Sequence, residues 1–236
     1  MKTHGDLTAP CEGKSKENKE CNSFDCSTRK SCSVLYGLGL RDSLKVTIDP
    51  DGKGGVHPFK VFCNMTEAGG LTQVGHDRTE YTTVKDWEGP CDYYAGLTYD
   101  NGVTIPQMVA LIDISTSCKQ YISWKCKSAA FDYAYDQNDP DAKSTYWKTR
   151  DGKGVKYFGG ATPGTANCAC GEDKSCFKPE KKCNCDTNDN VWREDAGYLT
   201  NSPDLPVKGF CAGDTAGPEE EGKYMVGPLT CTGEKT

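Results

Sequence analysis

The sequence is poor in the residues and motifs on which most enzymes depend. It contains only 3 histidines among 236 residues, and none of them stands in the H-E-x-x-H pattern of a metalloprotease. No cysteine is matched with a histidine and an orienting partner, and no G-x-S-x-G elbow, phosphate-binding loop or dinucleotide-binding glycine pattern occurs. We therefore predict that the protein is not an enzyme.

Long apolar runs and dense positive charge are missing as well. No stretch reaches the roughly 18 apolar residues of a membrane-spanning helix, and the first residues lack the apolar core of a signal peptide. We expect Met1 to mark a trimmed start. The formal net charge is −6, and no Lys/Arg stripe is available to neutralise phosphates along one face. These absences predict no membrane span and no nucleic-acid partner.

Cysteine, by contrast, is abundant. The 15 cysteines far exceed the number that a cytosolic protein of this size usually keeps reduced, so we predict a secreted, extracellular protein with many disulfides. Because the count is odd, at least one cysteine must be free, capped or bonded to another chain. A homo-oligomer linked through an N-terminal cysteine would satisfy that requirement.

The composition divides the chain into a short polar segment and one larger domain. From Thr8 to Ser31 the sequence has Cys11, Cys21 and Cys26 but almost no apolar residue, so this part cannot build a core. Apolar residues are spread along the remainder. We therefore predict a cysteine-containing N-terminal segment over residues 1–31 and one domain over residues 32–236.

Alternating apolar residues predict short antiparallel strands joined by polar turns. Residues 44–65 read as a hairpin that turns at Asp51-Gly52, and Asn101-Gly102 and Asp151-Gly152 mark further turns. "PQMVALIDIS" predicts a buried strand and "SCKQYISWKC" its neighbour in a central antiparallel sheet. Short helices are predicted in "CSVLYGLGL" and "VWREDAGYL". The fold class is therefore α+β, with short helices, long loops and many disulfides.

The segment "NCACGEDKSCFKPEKKCNCD" raises the question of zinc against disulfides. Its C-x-C pairs differ from the C-x-x-C knuckles of zinc sites, and in extended chain both sulfurs of a pair face one side without meeting. The oxidising compartment also favours disulfides. Folding the segment back on itself then predicts Cys170–Cys185 and Cys176–Cys183. Cys168 is left over, and we predict that it pairs with Cys126 on another element.

The chain from about Cys32 to Cys231 resembles fibrinogen-like domains. It opens with a cysteine, a short predicted helix, "FKVFCNMT" and a glycine-rich turn. The later motifs "CACG", "CNCD", "WREDAG", "LPV" and "VGPLTC" stand in the order found in the fibrinogen-like region of contactin-associated proteins, the neurexin-related adhesion receptors. Fibrillar-collagen C-propeptides are more distantly similar. The resemblance implies an extracellular recognition or assembly module.

Three further disulfides and one glycosylation site complete the covalent predictions. Asn64, in "NMT", is the only N-glycosylation sequon in the chain. Its position just after a cysteine at a strand end predicts an accessible side chain. The three disulfides that we predict are Cys32–Cys63, Cys91–Cys211 and Cys118–Cys231.

Calcium is a further expectation, since fibrinogen-like lectins often hold this ion in an acidic loop. Asp186, Asn188 and Asn190 offer hard oxygen ligands at alternate positions. An EF-hand count from Asp186 fails, because Val191 and Gly197 stand where Gly and Glu are needed. A turn stabilised by Asx side chains is the alternative interpretation. A second stretch offers Asp136, Asp139 and Asp141.

These features predict a recognition or adhesion module that binds extracellular glycans or glycoproteins. Flat aromatic side chains would supply the contact surface, although aromatic residues are more common in cores. The alternative is a structural extracellular-matrix protein that assembles through its N-terminal cysteines. The aromatic candidates are Tyr93, Tyr94, Tyr99, Tyr146 and Trp147.

Overall fold

The computed structural model describes residues 29–66, 69–132 and 143–235. Within these ranges the chain is mostly antiparallel strand with three short α-helices, which agrees with the predicted disulfide-rich α+β class. The helices are Cys32–Gly37 (α1), Ile105–Ile114 (α2) and Ala169–Asp173 (α3). None of them is long and apolar enough to cross a membrane. The strands are Leu44–Ile48 (β1), Phe59–Asn64 (β2), Leu71–Val74 (β3), Thr82–Val84 (β4), Tyr93–Gly96 (β5), Ser117–Lys127 (β6), Tyr146–Lys148 (β7), Gly154–Val155 (β8), Arg193–Leu199 (β9), Gly209–Ala212 (β10), Glu221–Val226 (β11) and Leu229–Thr232 (β12).

The chain forms two compact units that alternate along the sequence. The described residues of the first unit are 29–75, 99–118 and 229–235, with residues 67 and 68 left out. Those of the second unit are 76–98 and 119–228, with residues 133–142 left out. Almost all of the predicted N-terminal segment, with its three cysteines, lies outside the described residues. Its boundary and the predicted oligomer link therefore stay predictions.

The first unit contains an antiparallel sheet in the strand order β1-β2-β3-β12. The predicted hairpin is confirmed: β1 pairs with β2 from Leu44 opposite Cys63 to Ile48 opposite Phe59. Strand β2 alternates buried and exposed residues along most of its length, as a strand with one face on the core should. Apolar alternation and the polar turn at Asp51-Gly52 therefore sufficed to predict this hairpin.

The prediction of a strand in "PQMVALIDIS" is wrong, because this stretch forms helix α2. Thr104 begins the helix with a capping box: its Oγ1 accepts from the Gln107 amide at 3.5 Å, and Gln107 Oε1 accepts from the Thr104 amide at 2.8 Å. Met108, Leu111 and Ile112 are buried at helical spacing. Because the run is nearly continuously apolar, the helical spacing is not visible in the sequence. The capping box was the available signal for a helix.

The second unit contains strands in the order β9-β6-β11-β4 and a second sheet in the order β5-β10-β7-β8. The predicted strand in "SCKQYISWKC" is confirmed as β6. The predicted helix in "VWREDAGYL" is wrong, since these residues form β9, which pairs with β6 from Gln120 opposite Leu199 to Cys126 opposite Arg193. Pairing over the whole length of β9 outweighs its weak local helix preference.

Aromatic side chains build the core of the second unit. Trp124 of β6, Phe210 of β10 and Tyr224 of β11 are all fully buried. The rings of Phe210 and Tyr224 stack with centroids 4.5 Å apart and an interplanar angle of 6°. The Trp124 ring lies 5.7 Å from Phe210. These side chains bury large apolar surfaces and so hold the inner faces of their strands.

Six disulfides join the cysteines of the described residues, and three of them match the predicted pairs. Those three are Cys32–Cys63, Cys91–Cys211 and Cys118–Cys231. The other predicted pairs are wrong in partner, although the same cysteines take part. The structure instead has Cys126–Cys185, Cys168–Cys183 and Cys170–Cys176.

The incorrect pairings came from treating residues 168–185 as extended chain. Helix α3 begins directly after Cys168, and the amides of Ser175 and Cys176 both donate to the Cys170 carbonyl. This turn brings Cys170 to Cys176, only 6 residues away. Cys185 opens a 3-10 turn and is thereby directed to Cys126 of β6.

Candidate functional site

The three predicted calcium ligands have different surroundings. Asp186 is buried, and its Oδ1 accepts from the amides of Phe131 at 3.1 Å and Asp132 at 3.0 Å. Its Oδ2 lies 3.6 Å from the buried Nζ of Lys143. Burial raises the pKa of Asp186 to about 6, an effect that Lys143 opposes. This carboxylate therefore organises the chain around residues 131 and 132.

The two asparagines lie on the surface instead. Asn188 is exposed in the left-handed region, with φ 48°, and its amide donates to the Cys185 carbonyl. Asn190 is exposed and its Nδ2 donates to Glu219 Oε2 at 3.2 Å. Asp186 is thus buried on backbone amides, whereas Asn188 and Asn190 are exposed. The candidates Asp136, Asp139 and Asp141 lie outside the described residues.

A second group brings possible ligand types together without offering a thiolate. The ligand atoms of Cys168, Cys183 and Asp195 lie within 4.8 Å of one another. The two sulfurs are bonded to each other, and a disulfide does not supply the thiolate that metals need. Asp195 accepts from the amides of Asn184 at 3.0 Å and Cys185 at 2.9 Å. Through these two hydrogen bonds, the Asp195 carboxylate stabilises the turn of residues 184–187.

The predicted glycosylation site stands at the end of β2. The alternation of that strand places Asn64 on the same face as the exposed Lys60 and Phe62, and the residue is half-buried. Its Oδ1 accepts from the Thr66 amide at 3.0 Å and from the Thr66 hydroxyl at 2.6 Å. Sugar at Asn64 stays a prediction, which a glycosidase shift after expression in a eukaryotic secretory host would check.

Two of the predicted aromatic contact residues are core residues, and a third packs inward. Trp147 is 0% exposed and its Nε1 donates to the Tyr157 carbonyl at 2.8 Å. Tyr99, in the first unit, is also buried. Tyr93 is half-buried, with its ring centroid 5.9 Å from that of Tyr224. The prediction of a ligand-binding role is therefore wrong for Trp147, because β7 turns this side chain towards the core.

Tyr94 and Tyr146 lie on the opposite, outer face of the second sheet. Both pair with Cys211, on either side of β10, so the three side chains share one face. Tyr94 is 49% exposed and Tyr146 is half-buried. Burial raises the pKa of Tyr146. Two of the five predicted aromatic residues, Tyr94 and Tyr146, thus lie on this outer face.

A row of glycines lets both tyrosine rings lie across the sheet. A Cβ at Gly209 would come within 2.6 Å of the Tyr94 ring, and one at Gly154 within 2.7 Å of the Tyr146 ring. Gly96 and Lys148 complete the row, in register with Gly209. We call Tyr94, Tyr146, Lys148 and these three glycines the tyrosine surface. The missing side chains make it flat.

Positive charge concentrates around this surface. The Lys148 Nζ lies 4.8 Å from the centroid of the Tyr94 ring, within cation–π distance. Residues 146–156 hold four cationic side chains, namely Lys148, Arg150, Lys153 and Lys156, and the single carboxylate of Asp151. The whole chain has a net charge of −6. The hairpin of β7 and β8 is therefore locally positive on an acidic protein.

A second exposed surface, on the sheet that contains β6, was not predicted. We call it the mixed-charge face and define it by Tyr81, Tyr121, Tyr198 and Glu194, with Ser123 buried on the same side of β6. Glu194 Oε1 accepts from the hydroxyls of Tyr81 at 2.9 Å and Ser123 at 2.7 Å. The Tyr121 and Tyr198 rings meet edge to face at 5.4 Å. Alternate residues of β6 point here, so the polar positions of "SCKQYISWKC" were the available signal.

The fold, six disulfides and exposed aromatic surfaces define a disulfide-rich α+β module of a kind typical of extracellular proteins. No family model matches the chain. Neurexin-4 of Drosophila melanogaster is 32% identical over 208 residues, which is 86% of this chain and 16% of that protein. Contactin-associated protein 1 of Homo sapiens is 34% identical over 212 residues, 88% of this chain and 14% of that protein.

The similarity agrees with the motif resemblance to neurexin-related proteins and supports that relation over most of the chain. Contactin-associated protein 1 of Rattus norvegicus gives the same 34% identity over 212 residues. The chain spans about one-seventh of the length of these relatives. The comparisons name no fibrinogen-like domain, so that finer assignment stays a prediction.

Proposed function

We propose that the chain is a non-enzymatic, secreted recognition module of the fibrinogen-like fold that binds extracellular glycans or glycoproteins through the tyrosine surface. The observation that carries the proposal is the pair of rings, Tyr94 and Tyr146, lying across glycines on an exposed sheet face. Flat aromatic faces with polar tips suit sugar rings, which have apolar faces and hydroxyl edges. The similarity to neurexin-related proteins supports a role in extracellular recognition and adhesion.

In this proposal the disulfides contribute more to the stability of the module than a bound calcium ion would. Asp186 is buried on backbone amides while Asn188 and Asn190 are exposed, so we expect that binding of a glycan does not require the ion. The alternative matrix function rests on the N-terminal cysteines, which lie outside the described residues. Interchain disulfides on a non-reducing gel, together with no glycan binding, would favour that alternative.

The test is a glycan array probed with the full chain, with and without chelator. Wild type should bind a defined subset of glycans, and chelator should leave that subset unchanged. Tyr94→Ala should lose the binding, whereas Tyr198→Ala should keep it. Tyr198 is a matched control because its exposed fraction, 47%, is similar to the 49% of Tyr94, but it lies on the mixed-charge face. Equal binding by both variants, or binding by neither wild type nor variants, would contradict the proposal.

A further inference from the structure

The charge of the tyrosine surface comes from the ammonium group of Lys148. Among the described residues, no carboxylate lies within ion-pair distance of the Lys148 ammonium, which rests instead near the Tyr94 ring. Lys148 is half-buried and stands in the same row as Gly209 and Gly154. Its ammonium is therefore held beside the two rings with hydrogen-bonding capacity left for a ligand.

The neighbouring cations Arg150 and Lys153 differ in their contacts. Arg150 directs its Nη1 to the carbonyls of Ser202 at 3.5 Å and Leu205 at 3.4 Å, which fixes the following loop. Lys153 is exposed at the hairpin end. These charges give the hairpin a positive field that a neutral sugar would not use but an anion would.

The mixed-charge face provides the contrast. There Lys125 lies over the Tyr81 ring at 4.2 Å and is in register with Glu194, and Lys223 is 3.5 Å from Glu221. Lys125 and Lys223 on that face thus each have a carboxylate of the chain beside them. Beside the tyrosine surface, by contrast, no such carboxylate of the described residues pairs with the Lys148 ammonium.

We propose that the tyrosine surface selects an anionic saccharide, one that carries a carboxylate or a sulfate group. An oligosaccharide packs on Tyr94 and Tyr146, which lie two strands apart, and the Lys148 ammonium binds the acid group of one of its sugars. The inference rests on the proposed function and narrows it to one ligand chemistry. A charged hydrogen bond to an anion is shorter and stronger than a neutral one, which gives Lys148 the larger share of the selectivity.

The experiment uses calorimetric titration of the full chain with four probes. Sialyllactose and lactose form a matched pair that differs by the carboxylated sugar, a heparin-derived octasaccharide supplies sulfate, and a poly-glutamate peptide supplies carboxylates without sugar. At least one anionic saccharide should bind at least about tenfold more tightly than lactose and the peptide. Raising the salt concentration should weaken that binding.

Variants separate the contribution of Lys148 from that of the fold. Lys148→Ala and Lys148→Gln should each lower the affinity for the anionic saccharide by about tenfold, and Lys148→Arg should restore most of it. Lys119→Ala is the matched control, because Lys119 also lies over a tyrosine, 4.4 Å from the Tyr198 ring. Unchanged melting temperatures would show that the variants are folded.

Each outcome has a distinct meaning. Binding of sialyllactose alone identifies a carboxylate as the acid group, binding of the octasaccharide alone identifies a sulfate, and either result supports the inference. Equal affinity for lactose and sialyllactose, without octasaccharide binding or any effect of Lys148→Ala, overturns the inference and leaves the proposed function standing. Peptide binding as tight as saccharide binding overturns the saccharide class. Absence of binding to every saccharide, on titration and on the array, defeats both proposals.

Discussion

At the scale of single residues, burial sets the protonation of a few carboxylates. Asp214 has a positive φ of 55°, and its Oδ2 accepts from the Ala130 amide at 2.6 Å. Burial raises its pKa to about 6, and the nearby Glu220 and Glu88 raise it further. Because the folded pKa lies above the unfolded value, the stability that this group contributes is present at low pH and is lost as pH rises through 6.

Asp214→Asn should therefore stabilise the protein at pH 8, with an increase in melting temperature of about 2–4 °C. Asparagine tolerates a left-handed backbone and keeps an oxygen for the Ala130 amide, but it cannot ionise. The gap to wild type should close as pH falls through 6 towards 4 in thermal scans. Asp113→Asn, at an exposed position of α2, controls for the loss of a charge. A gap that did not change with pH would show that ionisation of Asp214 carries no stability cost.

At the scale of elements, the capping box decides the structure of residues 105–114. Thr104→Ala removes the hydroxyl that accepts from the Gln107 amide, and we expect a loss of about 1 kcal/mol in the free energy of unfolding. Thr104→Ser keeps the acceptor and should stay close to wild type. Urea unfolding of the three proteins at one pH measures the difference. Equal stability of the alanine and serine variants would mean that the cap contributes nothing.

At the scale of the whole molecule, covalent closure supplies much of the stability. Cys118–Cys231 spans a separation of 113 residues and Cys170–Cys176 a separation of 6. The chain-entropy model gives about 4.8 kcal/mol for the long closure and about 2.2 kcal/mol for the short one. Replacing both cysteines of the long pair by serine should therefore lower the melting temperature more than the same change in the short pair.

The same reasoning predicts that reductant destabilises the protein far more than chelator does. Reduction frees all six disulfides of the described residues, whereas removal of a calcium ion would release only one loop. Parallel melting curves with each reagent give the comparison. If chelator alone collapsed the fold while reductant barely moved the transition, the account in terms of disulfides would have to be abandoned.

Local patterns in the sequence determined the parts of this protein that depend on neighbouring residues. The hairpin of β1 and β2 follows from alternation and a turn at Asp51-Gly52, and β6 follows from alternation alone. The tyrosine pair was identified as a candidate only by residue type, among five aromatic residues. Sequence could not separate exposed rings from core rings, because the two faces of a short strand differ only in what packs on them.

Only the tertiary structure decided the features that depend on distant residues. The stretch of β9 became a strand because β6 was there to pair with it. The cysteines from Cys168 to Cys185 chose their partners after α3 had turned the chain. The tyrosine surface is assembled from Gly96, Gly154 and Gly209, which lie on three separate strands. Its flatness arises from strand register, a long-range property that no local window of the sequence contains.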